Sequence, residues 1–153
     1  MNFLADACAL VAYHGGGGAG MTDRGRETMR GGDVLVSPIT VWEITRKAAL
    51  GKLPRPVPPG FTKSFSGYLR SQNYRFAPLG WDEAEHANRL PMHHADPMDR
   101  MLIATALVRG LTIVTSDSAF SAYGSRPFGD ARASCVSAGI AAGAMGKRRR
   151  TVA

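Results

Sequence analysis

Cysteine is scarce in this chain: 153 residues carry two, Cys8 and Cys135. No Cys/His spacing matches a zinc site, and a stabilising disulfide is not expected. Cys8 lies in an apolar segment and reads as a small core residue, whereas Cys135 lies among Gly, Ala and Ser. Long hydrophobic runs are missing too: none approaches the roughly 18 apolar residues that suggest a membrane span. The first residues show no basic stretch leading into an apolar one, so no secretory signal is expected and the cytoplasm is the expected location. There is no internal repeat. Gly15 to Gly18 break regular structure but lack the GxxxxGK pattern of a phosphate-binding loop.

What remains describes one soluble α/β domain and a tail. Hydrophobic residues make up 44% of the chain, an ordinary share for a globular protein, and the length suits a single core. The net charge is +7, and Lys147, Arg148, Arg149 and Arg150 supply four of those charges. The body is therefore only mildly basic, a balance that permits nucleic-acid binding without demonstrating it. After Gly124 the apolar period decays, so residues 125–153 are expected to form a mostly disordered, Gly/Ala/Arg-rich basic tail.

Strand and helix signals alternate from residue 2 to residue 123. Residues 2–6 and 34–36 read as short buried strands, with 75–79 and 111–115 as two more. Between them, 7–13, 22–30, 61–71 and the segment from Asp82 to about Arg89 read as helices. Ser37-Pro38 and Asp96-Pro97 are helix starts, with a capping side chain followed by proline at the first helical position. Gly51 and Gly110 are the matching stops. Pro54, Pro56, Pro58 and Pro59 make a stiff connector. Such alternation implies a mostly parallel sheet flanked by helices, and ligands of such sheets bind beyond the carboxyl ends of the strands.

Four acidic residues fall at element ends or inside apolar stretches: Asp6, Glu43, Asp99 and Asp117. Each has an ordinary reading. Asp6 and Asp117 could cap the helices that follow them, Glu43 could pair with Lys47 four residues on, and Asp99 could offset a helix dipole or pair with Arg100. Asp96 reads as the cap three residues before Asp99. Together at one sheet edge, these carboxylates would repel unless a divalent cation neutralised them, which points to metal-dependent phosphoryl transfer. His93 and His94 could be metal ligands or proton carriers, but no partner spacing supports zinc, and a structural or substrate-contacting role is the preferred reading. Trp42 and Trp81 read as core residues. Arg24, Arg26, Arg46, Lys47, Lys52 and Arg55 could contact a nucleic-acid backbone or simply form a solvated surface.

The segments LADACAL, SPITVWEITRKAALGKL and LPMHHADPMDRMLIATALVRGLTIVTSDSAF, in this order and spacing, closely resemble PIN-domain proteins, most of all the VapC-type toxins of bacterial toxin–antitoxin pairs. The resemblance spans about residues 1–124. It implies a PIN fold, a site holding Mg²⁺ or Mn²⁺, endoribonuclease activity on RNA, a homodimer and a cognate antitoxin. By position it implies Asp6, Glu43, Asp99 and Asp117 as the acidic set, with Thr115 supporting the site and Asp96 supporting it or capping the helix. The chain departs from the family at Ala7, where Thr or Ser is usual, and after Gly124, where related chains end in a short apolar strand. A catalytically inactive RNA- or partner-binding module, and a DNA-directed nuclease on the same fold, stay open as alternatives.

Overall fold

The computed structural model describes residues 2–18, 21–53, 64–124 and, as backbone, 135–137. In chain order the elements are β1 (Asn2–Ala5), α1 (Ala7–Gly15), α2 (Asp23–Gly31), β2 (Asp33–Val36), α3 (Pro38–Ala49), α4 (Phe65–Ser71), β3 (Arg75–Phe76), α5 (Trp81–Arg89), α6 (Pro97–Arg109), β4 (Thr112–Thr115) and β5 (Cys135–Ser137), with a 3₁₀ turn at Ser118–Tyr123 between the last two. The strands form one sheet in the order β3-β2-β1-β4-β5, and every pairing is parallel. The α/β class and parallel sheet expected from the sequence are therefore present. Among the described residues no helix is long and apolar enough to cross a membrane.

Strand periodicity explains how both sheet faces are covered. Side chains alternate between faces along a strand, so Leu4, Leu35 and Ile113 pack on one side with α5 and α6. Their neighbours Ala5, Val34, Val36 and Val114 pack on the other with residues of α1 to α4. The strands consequently read as apolar runs rather than alternating ones, as expected of a parallel sheet buried on both sides. The chain runs outward from β1 through β2 to β3, then crosses to the opposite side of β1 for β4. That reversal places a switch point between β1 and β4, and crevices for ligands open at such points on the carboxyl edge.

Helix ends follow the chemistry of their caps. The Ser37 hydroxyl accepts from the Ile39 N–H and Asp96 from the Met98 N–H, each with proline at the first helical positions. Gly51 and Gly110 end α3 and α6 in the left-handed region, at φ +66° and +62°, which glycine adopts without a Cβ penalty. α5 departs from the expected start. Gly80, not Asp82, is its cap residue, because Glu83 reaches back to accept from the Gly80 N–H at 2.8 Å. β3 is shorter than the expected 75–79, since only Leu35 and Val36 of β2 offer it partners.

One further expectation is corrected. Trp81 and Trp42 are not core residues: they are 90% and 49% exposed. Trp81 opens α5 beyond the reach of the core, and the Trp42 ring lies under the Arg46 guanidinium at 5.1 Å. Within residues 125–153, Cys135–Ser137 form β5, which pairs with β4 through Ile113–Cys135, Val114–Val136 and Thr115–Ser137. The rest of that segment, and the proline connector, lie outside the described residues.

Arg100 carries the loop before α6. It sits among the apolar residues of that helix with only 7% exposure. One guanidinium nitrogen donates to the Pro91 and His94 carbonyls at 2.9 and 3.4 Å, the other to Ala87 and Leu90 at 2.8 Å each. It thereby closes the carboxyl end of α5 and the turn after it, and is not spent on Asp99. Replacing it with Met would take this donor from the Ala87, Leu90 and His94 carbonyls, while Pro91 would keep the Tyr123 hydroxyl and the His93 N–H. Arg100→Met is expected to cost on the order of 3–5 kcal/mol in urea unfolding. Arg100→Lys should recover little of this, because one ammonium cannot fork to four acceptors.

Candidate active site at the carboxyl edge of the sheet

Asp6 follows β1 directly. Its backbone N–H continues the ladder by donating to the Val114 carbonyl at 3.2 Å, which fixes the residue over the switch point. Its side chain does two jobs. One oxygen caps α1 by accepting from the Ala9 N–H at 2.6 Å, and the other accepts a short hydrogen bond from the Thr115 hydroxyl. Thr115 ends β4, and its Oγ1 in turn accepts from the Asp117 N–H at 3.0 Å. A single hydroxyl thus ties the ends of β1 and β4 together. Both Asp6 oxygens are engaged, so the hydroxyl absent at Ala7, which is itself buried, leaves neither of them without a donor.

Burial pushes the Asp6 carboxyl up to about 7, against the hydrogen bonds from Thr115 and Ala9, and with repulsion from Glu43 and Asp99 adding to the rise. Burial likewise lifts Asp99 to about 6; His94 opposes the change, while Asp96, Glu43 and Asp117 add to it. These mutual fields show that the four acidic residues singled out from sequence share one region. Their ordinary readings also hold in part. Asp117 caps the 3₁₀ turn through the Ala119 N–H, Asp99 lies in the first turn of α6, and Glu43 forms an ion pair with Lys47. Asp96 is an exposed helix cap whose charge reaches Asp99.

Among the candidate cations, Lys47 faces the cluster through its pair with Glu43. Arg26 is spent on the Gly18 and Met21 carbonyls and on Asp23, and Arg46 lies over Trp42. Arg24 and Lys52 are exposed, and Arg55 lies outside the described residues. The nearby Cys8 thiol is pushed up to about 11, first by burial and then by Asp6, so it is no thiolate at neutral pH.

His94, which the sequence leaves open between metal ligand, proton carrier and structural or substrate-contacting residue, lies in the site. Its Nε2 lies 3.3 Å from a carboxylate oxygen of Asp99 and 3.3 Å from one of Asp117. Nothing in the HHADP segment signals this, because the contact depends on how the loop returns over the end of β4. One ligand atom from each of His94, Asp99 and Asp117 falls within 4.8 Å of the other two. The donor set is dominated by hard carboxylate oxygens, partly open to water, and its excess negative charge is only partly offset by Lys47. Such a set fits a Mg²⁺- or Mn²⁺-like cation, which keeps several waters and takes one or two carboxylates.

Comparisons with known proteins bear on the fold and the family. The PIN domain family matches residues 3–125. No curated protein matches the chain. Among solved structures, VapBC-5 from Mycobacterium tuberculosis, a member of the VapBC family of toxin–antitoxin systems, is similar with a TM-score of 0.54 and 19% identity, over 89% of this chain and 98% of that one. The structure of FitAB bound to the IR36 DNA fragment is similar with a TM-score of 0.55 and 18% identity, over 88% and 94%. Identities this low carry the fold, while the family match takes in β1, β4 and each acidic residue between them: the chain belongs to the PIN domain family.

Proposed function

We propose that this protein is a Mg²⁺- or Mn²⁺-dependent endoribonuclease, the toxin of a VapBC-type toxin–antitoxin pair, working as a homodimer and restrained by a cognate antitoxin. The observation that carries this reading is the convergence of Asp6, Glu43, Asp99 and Asp117 at the switch point, close enough for their charges to raise the carboxyl groups of Asp6 and Asp99. The similarity to VapBC-5 supports the toxin–antitoxin assignment.

Asp6, Asp99 and Asp117 would hold the cation. When bound, the cation supplies charge neutralisation at the scissile phosphate and a more acidic water. Thr115 holds Asp6 in place, and the Asp117 N–H holds Thr115. Lys47, paired with Glu43, would meet a phosphate oxygen. Water attacks phosphorus in line while its proton passes to Glu43. The 3′ oxygen leaves and takes a proton from solvent water, giving a 5′-phosphate and a 3′-hydroxyl.

Purified protein incubated with cellular RNA in Mg²⁺, in Mn²⁺ and in EDTA tests the proposal, with single-stranded DNA in parallel. RNA cleavage that stops in EDTA is the expected result. Preferential cleavage of DNA would reassign the substrate, and no cleavage by folded protein would favour a binding module. Thr115 gives a finer check. Thr115→Val strips the hydroxyl from the buried Asp6 carboxylate, and Mg²⁺ affinity by calorimetry is expected to fall about 10–100-fold. Thr115→Ser keeps the donor and should bind nearly as well as wild type.

A further inference from the structure

The proximity of His94 to two acidic oxygens admits two opposite roles: metal ligand, or hydrogen-bond donor to the ligands. A ring nitrogen ligates through a lone pair and donates through an N–H, and in a neutral imidazole the two nitrogens take opposite parts. The backbone decides between them here. The Asp96 N–H donates to His94 Nδ1 at 3.2 Å, so Nδ1 carries the lone pair and the hydrogen sits on Nε2. For Nε2 to bind a cation, the hydrogen would have to move to Nδ1, where it would point at the Asp96 N–H. That exchange turns a hydrogen bond into a donor–donor contact.

We infer that His94 is a positioning residue whose Nε2–H orients the Asp99 and Asp117 carboxylates, and that it is not a metal ligand. The inference rests on the metal-dependent reading of this site. The ring is held from several sides. Its edge meets the Phe120 ring at a centroid distance of 5.6 Å and 75°. The His94 N–H donates to the Tyr123 hydroxyl at 2.8 Å, and that hydroxyl donates to the Pro91 carbonyl at 3.0 Å. The His94 carbonyl accepts from Arg100. So many restraints leave the Nε2–H one direction, towards the gap between α6 and the end of β4, where Nε2 stands 3.3 Å from each carboxylate. Ligating carboxylates are commonly fixed by such outer partners, whose loss costs about 10–100-fold in metal affinity or activity.

The test is the tautomer itself, read from imidazole ¹⁵N shifts of wild-type protein, metal-free and then saturated with Mg²⁺. A hydrogen on Nε2 in both states is the expected result. A hydrogen on Nδ1 in either state, or direct Mg²⁺ perturbation of Nε2 as a ligand, would overturn the inference. Mg²⁺ titrations of His94→Ala and His94→Gln add a second readout. Affinity should fall about 10–100-fold in His94→Ala and recover in His94→Gln, which can present an N–H at a similar reach; wild-type affinity in His94→Ala would also overturn the positioning role. None of these measurements uses RNA, so failure of the nuclease reading would show separately, as a Mg²⁺-loaded, folded protein without cleavage.

Discussion

Asp99→Asn is expected to lower RNA cleavage about a thousandfold or more while leaving the fold intact. The amide keeps the shape of the carboxylate and its place in the first turn of α6, and α6 retains its Asp96 cap. What it removes is charge. A bound cation contributes several kcal/mol of transition-state stabilisation in such sites, and each tenfold in rate corresponds to about 1.36 kcal/mol. The metal-free variant should be no less stable than wild type, because burial, opposed by His94 and aided by Asp96, Glu43 and Asp117, holds the Asp99 carboxyl at about 6, so its charge is disfavoured in the fold. Cleavage assays combined with thermal unfolding check both halves. A variant that cleaves normally would remove Asp99 from the site, and one that unfolds would show that the residue is structural.

Metal-free protein is expected to gain stability on mild acidification, and Mg²⁺ is expected to abolish that gain. The sign follows from Asp6. Its folded-state carboxyl is raised to about 7 from the ordinary 3.8, so the unfolded chain gives up the proton more readily. The associated stability is fully present below about pH 4 and is lost as the pH rises through about 7. From about pH 8 to about pH 5.5, Asp6 alone should return roughly 2 kcal/mol, or some 4–8 °C in Tm. Asp99, raised to about 6, adds in the same direction. His14 works against them. Burial lowers its pKa, so its contribution is lost as the pH falls below its ordinary 6.5. Glu83 is held below its ordinary 4.5; burial opposes this, but its own N–H and that of Gly80, together with Arg109, outweigh it. Its contribution is therefore lost only in stronger acid. With Mg²⁺ at about a hundred times its Kd, about 2.7 kcal/mol should be gained at neutral pH. Melting curves across pH in EDTA and in Mg²⁺ decide the matter. A Tm that falls on acidification in EDTA would mean that Asp6 and Asp99 are not raised by their burial and their neighbours in the cluster.

The parts of this molecule legible in the sequence are those decided by local chemistry. Ser37-Pro38 and Asp96-Pro97 announce helix starts because a cap bonds within three residues. Asp6 and Asp117 stand out because a carboxylate ending an apolar run needs a partner. Parallel strand order also lets two distant sequence positions be placed on one edge. The resemblance to PIN-domain proteins supplied what periodicity could not: that Glu43 and Asp99 join the other two.

Illegible were the features that depend on the returning chain. Arg100 looks like a surface charge until Pro91, His94, Ala87 and Leu90 are seen to present their carbonyls to it. His94 reads as one of two loop histidines until the 3₁₀ turn brings Asp117 alongside. β5 has too little apolar pattern to declare itself, and takes its register from β4. Trp81 was misread because its apolar bulk suggested burial, while its place at the first turn of α5 sets it in solvent.

The bond between Asp6 and Thr115 joins residues 109 positions apart. A ribosome adding about 5–20 residues per second leaves an interval on the order of ten seconds between them. During that time β1 has β2 beside it but no β4, and Asp6 can cap α1 but lacks Thr115. The nascent chain therefore carries β1, α1 and β2 well before the hydroxyl that holds Asp6 exists, so on the nuclease reading proposed above the site is completed late.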